Sequence, residues 1–199
     1  MKRLLDVILS CIAIVVLAPL FITVAIAIKA GSEGPVFYRQ KRVGKLGAEF
    51  LMMKFRTMYV GADKSGLLTI ANEDNRITAI GRFLRRYKLD ELPQFFNVLR
   101  GDMSIVGPRP EVKKYVDMYT PEQRTVLNIL PGITDFASIK YNNEAEVLAA
   151  QPNPEEYYIE HIMPEKIRLN QVYIQQPTVG NYFRIIFLTI SRLLSPGKA

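Results

Sequence analysis

The chain has 199 residues, and its 26 lysines and arginines outnumber its 19 aspartates and glutamates to give a net charge of +7. Hydrophobic residues make up 49% of the sequence and charged residues 23%, which excludes a disordered chain, a collagen-like repeat and a coiled coil. Cys11 and His161 are each the single residue of their type, so one chain can build neither a disulfide framework nor a cysteine-rich or histidine-rich metal site. A bound metal would rest on carboxylates and would be a hard ion such as Mg²⁺.

The N-terminal segment predicts a membrane helix. Residues 7–28 carry no charge, and basic residues flank them on both sides, with Lys2 and Arg3 before and Lys29 after. About 20 such residues span a bilayer as a helix, and the run is longer than the apolar region of a signal peptide. Pro19 removes a helical hydrogen bond near the middle and predicts a kink. Because both flanks are basic, we favour a re-entrant helix with both ends on the cytoplasmic side over a straight span.

After this membrane helix, assigned to residues 1–30, residues 31–199 are interpreted as one functional unit on the cytoplasmic face. The elements predicted in its first half are two strands of a β-hairpin (36–43 and 49–58), a polar loop (59–75) and two helices (78–87 and 91–99).

Beyond residue 100 the sequence predicts a short extended segment and then several short helices. The extended segment ends in Gly107-Pro-Arg-Pro110, which cannot be helical. Helices are predicted to start at Glu111, Pro121, Pro154 and Pro164. The segment from Gly180 has apolar residues at helical spacing and suits either a core helix or a helix on the membrane interface. The predicted fold class is therefore α+β and mainly helical, with a kinked re-entrant membrane helix, a small hairpin, short helices and interfacial amphipathic helices.

Basic residues are concentrated in the first half of the chain. Residues 35–56 and residues 76–100 carry six each. Such clusters point to a polyanion, which could be a nucleic acid, a nucleotide or a phospholipid headgroup. A solvated basic face is equally compatible with the charge alone.

Asp90 and Glu91 are the candidate catalytic carboxylates. They follow a basic helix and precede Leu92-Pro93, so Asp90 is predicted as a helix N-cap and Glu91 as an acid of the first turn. Helix capping alone would explain the pair. Alternatively, two adjacent carboxylates close to Arg85 could hold Mg²⁺ and meet a phosphate, with one carboxylate acting as a nucleophile.

Three further cations are candidates for binding phosphate. Lys54 and Arg56 fall on one face of the predicted strand, where they could clamp a diphosphate, although an exposed pair on a hairpin is the alternative. Arg109 stands between two prolines in a rigid turn, which suits a planar clamp for phosphate, and Gly107 allows close approach of a ligand or of backbone. The sequence has no Walker loop, GxGxxG, GxSxG or HExxH motif, so kinases and hydrolases of those types are not indicated.

Several blocks of the sequence together resemble one family. Leu89-Asp-Glu-Leu-Pro-Gln94, Gly101-Asp-Met-Ser104 and Val106-Gly-Pro-Arg-Pro110 look like the signature of the bacterial sugar transferases. These are monotopic phosphoglycosyl transferases that begin the assembly of bacterial exopolysaccharides, O-antigens and glycoprotein glycans. Lys54-Phe-Arg-Thr-Met58 and Pro131-Gly-Ile-Thr134 match further blocks in order. The resemblance spans nearly the whole chain, and we expect the chain to be close to the catalytic core, without the further membrane helices of larger relatives.

The resemblance implies a reaction and roles for the candidate residues. Members of the family transfer a sugar phosphate from a UDP-sugar to polyprenyl (undecaprenyl) phosphate and release UMP, at the cytoplasmic face of the bacterial inner membrane. Asp90 would attack the β-phosphate to form a phosphosugar-enzyme intermediate, Glu91 together with Asp90 would bind Mg²⁺, and the membrane helix would break at Pro19. The cations at matching phosphate-binding positions are Arg85, Arg109, Lys54 and Arg56.

The chain also departs from the family pattern. Ala18 precedes the proline where serine is common, Asp135-Phe136 replaces Gly-Trp, and Glu155 replaces an aspartate. The second change falls in a loop expected to contact the sugar or nucleotide and so bears on donor choice. The alternative hypothesis is a membrane-anchored basic module that binds nucleic acid or anionic lipid without catalysis. The resemblance favours no nucleic acid partner and leaves a homodimer open.

Overall fold

The computed structural model describes residues 1–62 and 74–194. The described chain is mostly helical with two small two-stranded sheets, which confirms the mainly helical α+β class. In chain order its elements are α1 (Lys2–Gly31), β1 (Phe37–Val43), β2 (Glu49–Phe55), α2 (Ala79–Arg86), α3 (Gln94–Arg100), β3 (Ser104–Val106), α4 (Lys113–Val116), β4 (Gly132–Thr134), α5 (Phe136–Lys140), α6 (Glu144–Ala149), α7 (Pro154–Tyr157), α8 (Met163–Gln175) and α9 (Val179–Leu194). Most of the predicted polar loop lies outside the described residues.

Helix α1 continues through Pro19 as a single helix of 30 residues. Its interior contains no glycine, and its other residues tolerate helical geometry, so the single hydrogen bond lost at Pro19 does not end the helix. In the part of the chain that the structure describes, α1 is the one helix long and apolar enough to cross a membrane. The re-entrant path remains a prediction.

One apolar face of α1 is left exposed by the rest of the described chain. The large side chains along it are 45–73% exposed: Leu4, Ile8, Ile12, Val15, Val16, Ile22 and Ile26. On the other face, Val24 and Ile28 are buried in a cluster with Phe55 of β2 and Leu84 of α2. An uncovered apolar face of this length is what a membrane helix presents to lipid.

Both ends of α1 contact the same folded part of the chain. Near the N-terminus, the carboxylate of Asp6 is buried and accepts hydrogen bonds from the hydroxyls of Ser104 and Tyr182, each at 2.8 Å. Near the C-terminal end of α1, Ile28 is fully buried in the cluster that contains Leu84. The two ends are therefore held to one globular unit by contacts that the hydropathy of the segment did not predict.

The predicted hairpin is confirmed, with a shorter second strand. Strands β1 and β2 pair antiparallel, with Phe37 opposite Phe55. The second strand ends at Phe55 rather than at residue 58, because the backbone carbonyl of Thr57 accepts a hydrogen bond from the N–H of Thr78, the N-cap of α2. The predicted helix over residues 78–87 is α2 with this cap, and the one over residues 91–99 is a 3₁₀ turn (Leu89–Glu91) followed by α3.

The second sheet was not predicted. Strands β3 and β4 pair in parallel, with Ser104 opposite Gly132 and Val106 opposite Thr134. The tail helix α9 packs beside this sheet, where the Thr134 and Thr189 hydroxyls hydrogen-bond at 2.6 Å. Helix α9 buries Ile185 while its opposite face is exposed, so it is a core helix on one side, and its contact with a membrane interface remains a prediction.

Candidate active site

The two candidate carboxylates lie on a 3₁₀ turn between α2 and α3. Lys88 adopts a left-handed conformation with φ of 55° and redirects the chain before Leu89. Asp90 is therefore not an N-cap, as the sequence suggested: Lys88 occupies the cap position, and no side chain caps the turn. This turn directs Glu91 toward β2 and toward the loop that follows β3.

Glu91 is held between two cations. The Arg109 guanidinium donates to both carboxylate oxygens, with Nη1 2.9 Å from Oε2, and Lys54 Nζ lies 3.2 Å from Oε1. Burial alone would disfavour the charged carboxylate, but the charges of Arg109 and Lys54 outweigh it and hold the pKa of Glu91 well below its ordinary value. Glu91 is therefore an ionised carboxylate at neutral pH and sets the position of both cations.

Asp90 has a different environment from its neighbour. Its side chain is buried, and its carboxylate has no hydrogen-bond partner in the described part of the chain. Burial and the adjacent charge of Glu91 raise the pKa of Asp90, while Lys54 and Arg85 oppose the rise. A carboxylate among cations that no described group engages by a hydrogen bond is a candidate to meet phosphorus or a metal ion.

Arg85 and Arg56 are placed differently by the fold. Arg85 projects from α2, donates from Nε to the hydroxyl of Thr57 at 2.9 Å and interacts electrostatically with Asp90. Arg56, which follows the end of β2, is buried, and its guanidinium donates to the backbone carbonyls of Ser32 and Glu33 after α1. Lys54 and Arg56 therefore do not face one ligand, and the Arg56 guanidinium holds backbone carbonyls instead.

The position of Arg109 depends on the crossing of two sequence blocks. The Arg109 N–H donates to the Asp135 carboxylate at 2.7 Å, and the N–H of Gly132 donates to the carbonyl of Pro108 at 2.9 Å. A Cβ on Gly132 would lie 2.1 Å from the backbone nitrogen of Gly107. The close approach expected at Gly107 is thus one of backbone to backbone.

This crossing gives a testable consequence. Gly132→Ala places a methyl group inside the van der Waals distance of Gly107, so one strand must move. We expect a loss of about 1–3 kcal/mol in the free energy of unfolding, as for other overpacked sites, and a lower Tm in detergent. The matched control is Gly180→Ala, whose Cβ would meet nothing closer than the Thr178 hydroxyl at 3.9 Å. An unchanged Tm for Gly132→Ala would contradict the crossing.

The contacts of Asp135 and Phe136 within the described residues are made to the protein itself. Asp135 is fully buried, and its two carboxylate oxygens accept the N–H groups of Arg109 and Ser138. It therefore caps α5 and fixes the backbone of Arg109, while Phe136 packs against the main core cluster. Neither residue lines the two cavities beside Arg109, and the contact of Asp135 with the site is its hydrogen bond to the backbone of Arg109.

A cavity of about 200 Å³ lies beside Arg109. The polar side chains in its wall are Arg42, Arg109, Glu111, Tyr115, Glu144, Tyr158 and Lys166. Of these, only Arg109 was predicted from the sequence as a site residue. Glu111 could have been found as a site residue because it directly follows the turn that holds Arg109. Its partners could not, because they come from distant parts of the sequence.

The donor set fits Mg²⁺ completed by substrate oxygens. No group of three or more His, Cys, Asp and Glu converges within the described residues. Among the residues that the structure describes, nothing hydrogen-bonds to either oxygen of Asp90, and Glu91 Oε2 accepts only from Arg109. One or two carboxylates with substrate phosphates and water are the usual ligands of Mg²⁺.

Comparison with known proteins points to one family. A family model described as bacterial sugar transferase matches residues 1–196. A UDP-glucose:undecaprenyl-phosphate glucose-1-phosphate transferase of Caulobacter vibrioides is 35% identical over 100% of this chain and 71% of that protein. A protein of the same name from Xanthomonas campestris pv. campestris is 40% identical over 100% of this chain but 40% of its own length. A UDP-N-acetylgalactosamine-undecaprenyl-phosphate N-acetylgalactosaminephosphotransferase of Aeromonas hydrophila is 39% identical over 73% of this chain and 35% of its own length. The chain thus spans well under half of two of these relatives.

Proposed function

Because the chain belongs to the bacterial sugar transferase family, we propose that it transfers a sugar 1-phosphate from a UDP-sugar to undecaprenyl phosphate and releases UMP. The observation that carries this proposal is the Asp90 carboxylate, which has no hydrogen-bond partner within residues 1–62 and 74–194, beside a Glu91 held by Arg109 and Lys54. A free carboxylate among fixed cations suits nucleophilic attack on a diphosphate. Relatives whose names give glucose or N-acetylgalactosamine as the sugar support the class of donor rather than one sugar.

The reaction would proceed in two displacements at one phosphorus. In the first, an oxygen of Asp90 bonds to the β-phosphorus, and the bond from that phosphorus to the oxygen bridging to the α-phosphorus breaks, so UMP leaves. In the second, a phosphate oxygen of undecaprenyl phosphate bonds to the same phosphorus, and the bond to Asp90 breaks. The products are a polyprenyl-diphosphate sugar and the regenerated carboxylate.

The surrounding cations would bind and orient the diphosphate. Arg109 is planar and rigidly held at its backbone by Asp135, and Lys54 lies on β2 beside it. Arg85, fixed by the hydroxyl of Thr57, lies on the Asp90 side. Asp90 and Glu91 would hold Mg²⁺, which when bound neutralises the charge of the diphosphate.

The test of this function is the release of UMP by detergent-purified protein. The protein receives Mg²⁺ and a panel of UDP-sugars, each with and without undecaprenyl phosphate. We expect multiple turnovers with one or two donors only when the lipid is present, and at most one UMP per protein without it. Addition of EDTA should stop turnover. Folded protein that releases no UMP from any donor would overturn the proposal.

The chain would act at the cytoplasmic face of the inner membrane, with α1 re-entrant. The uncovered apolar face of α1 supports contact with lipid. The attachment of both of its ends to one globular unit, through Asp6 and Ile28, supports entry and exit on one side. A straight span would place one of these contacts across the bilayer from the rest of the unit.

Cysteine labelling tests this topology. In a Cys11→Ser background, we place one cysteine before Met1 or substitute Lys29→Cys, and label with a membrane-impermeant maleimide. We expect both to react in inverted inner-membrane vesicles and neither in spheroplasts. The orientation control is Lys113→Cys, because the Lys113 side chain is 64% exposed on the globular unit. Labelling of the N-terminal cysteine from the opposite side to Lys29→Cys would contradict the re-entrant path.

A further inference from the structure

The cavity beside Arg109 has a wall that is fixed by its own hydrogen bonds. Glu111 accepts from the Arg42 guanidinium at 3.0 Å, from the N–H of Val112 at 2.8 Å and from the Tyr158 hydroxyl. Arg42 also donates to Gln40 and to the carbonyl of Pro110. These groups have few free hydrogen-bonding positions, so they define the shape of the cavity rather than select its contents.

Glu144 of α6 and Lys166 of α8, by contrast, keep hydrogen-bonding positions that no other described residue fills. Lys166 Nζ donates to Glu144 Oε2 at 2.8 Å, and no further hydrogen bond involves either head group in the part of the chain that the structure describes. The ammonium retains two N–H donors, and Glu144 Oε1 retains its acceptor positions. Both side chains line the cavity, and the Lys166 side chain is only 14% exposed.

These two groups form an adjacent donor and acceptor pair. Neighbouring hydroxyls of a sugar ring offer the complementary pair, since each hydroxyl can both donate and accept. The cavity volume of about 200 Å³ is many times the roughly 10–15 Å³ that one water molecule needs on the same measure, so it has room for a ring. Its charged lining is unsuited to a polyprenyl chain, because charged groups are costly to cover with hydrocarbon.

We propose that this cavity binds the sugar ring of the donor, with Glu144 accepting from one ring hydroxyl and Lys166 donating to its neighbour. The inference rests on the proposed function. In a UDP-sugar the sugar is bonded to the β-phosphate, which the proposed mechanism places at Asp90 within reach of Arg109. Since Arg109 also lines the cavity, a sugar attached to that phosphate enters the cavity directly.

The test is donor discrimination by Glu144→Gln and Lys166→Met. For the preferred UDP-sugar and an epimer that differs at one ring hydroxyl, kcat/KM is measured with each variant. We expect the ratio of the two kcat/KM values to change at least tenfold, while inhibition by UMP, which lacks the sugar, changes less than twofold. The control is Glu165→Gln, whose partners Lys140 and Arg168 lie outside the cavity wall, and it should leave the ratio unchanged.

Glu144→Gln is nearly isosteric and tests the inference even if Lys166→Met does not fold. An unchanged donor ratio in folded Glu144→Gln would overturn the proposal. A tenfold weaker inhibition by UMP with an unchanged donor ratio would overturn it too and would assign the cavity to the nucleoside. Equilibrium dialysis of radiolabelled donors distinguishes failure of the cavity assignment from failure of the proposed transferase function. If wild-type protein discriminates between donors by their ring hydroxyls but releases no UMP, the proposed function is overturned and the cavity assignment is supported.

Discussion

Asp90→Asn is expected to abolish transfer of the sugar phosphate. The asparagine amide keeps the shape of the side chain but has no anionic oxygen with which to attack phosphorus. Removal of a catalytic nucleophile typically lowers kcat by a factor on the order of 10⁴ or more. UMP release and the mass of intact protein incubated with donor alone measure the effect. Wild-type protein should gain the mass of one sugar phosphate, and the variant should gain none.

The environment of Asp90 indicates that Asp90→Asn removes the chemistry without removing the fold. Its carboxylate has no hydrogen bond to lose in the described part of the chain, and its burial disfavours the charged form. The Tm of Asp90→Asn should therefore be equal to or above that of the wild type. The control is Asp117→Asn, an exposed aspartate paired with Lys113, which should retain full activity.

Two results with Asp90→Asn would contradict the assignment. Retention of more than a tenth of the UMP release would exclude Asp90 as the nucleophile. If instead the variant loses no activity relative to the wild type and binds nucleic acid or anionic vesicles as tightly as the wild type or more tightly, the alternative of a non-catalytic basic module is favoured. That alternative predicts that removing a negative charge from a cationic surface helps binding.

Local elements of this fold could be predicted from the sequence because their signals are local. The hairpin has alternating strands and a glycine-containing turn, and α2 has Thr78 at its cap. The parallel pairing of β3 with β4 could not be predicted, because it joins segments of three residues separated by more than 20 positions. Short strands carry too little periodicity, and their pairing depends on a close approach of Gly107 and Gly132 that joins distant parts of the chain.

The candidate site was predicted in part for a similar reason. The sequence identified Glu91, Arg109 and Lys54 separately, and the structure brings these three together. It placed Arg56 with Lys54 by strand periodicity, which fails because β2 ends at Phe55. Pairs such as Glu144 with Lys166 depend on how distant helices pack, and charges of this kind are common on any surface.

Arg109→Lys is the second substitution with a large expected effect. A lysine ammonium cannot donate to both oxygens of Glu91 as the guanidinium does. Glu91 then loses part of the charge that outweighs its burial, and the diphosphate loses a planar donor. We expect kcat/KM for the donor to fall on the order of 10²-fold, the usual cost of removing one preorganised donor to developing charge. Steady-state UMP release at saturating undecaprenyl phosphate measures it.

The matched control for Arg109→Lys is Arg100→Lys, which changes an exposed arginine in the last turn of α3 and should keep its kcat/KM within twofold. Because Arg109 is held through its backbone by Asp135, Asp135→Asn should weaken the same step to a smaller degree while leaving the guanidinium in place. An Arg109→Lys variant as active as the wild type would show that charge alone suffices at this position. An Asp135→Asn variant more impaired than Arg109→Lys would show that the fold of this turn matters more than the guanidinium. The order of the two losses therefore distinguishes a site that depends on planar recognition of phosphate from one that depends on the rigidity of the β3–β4 crossing.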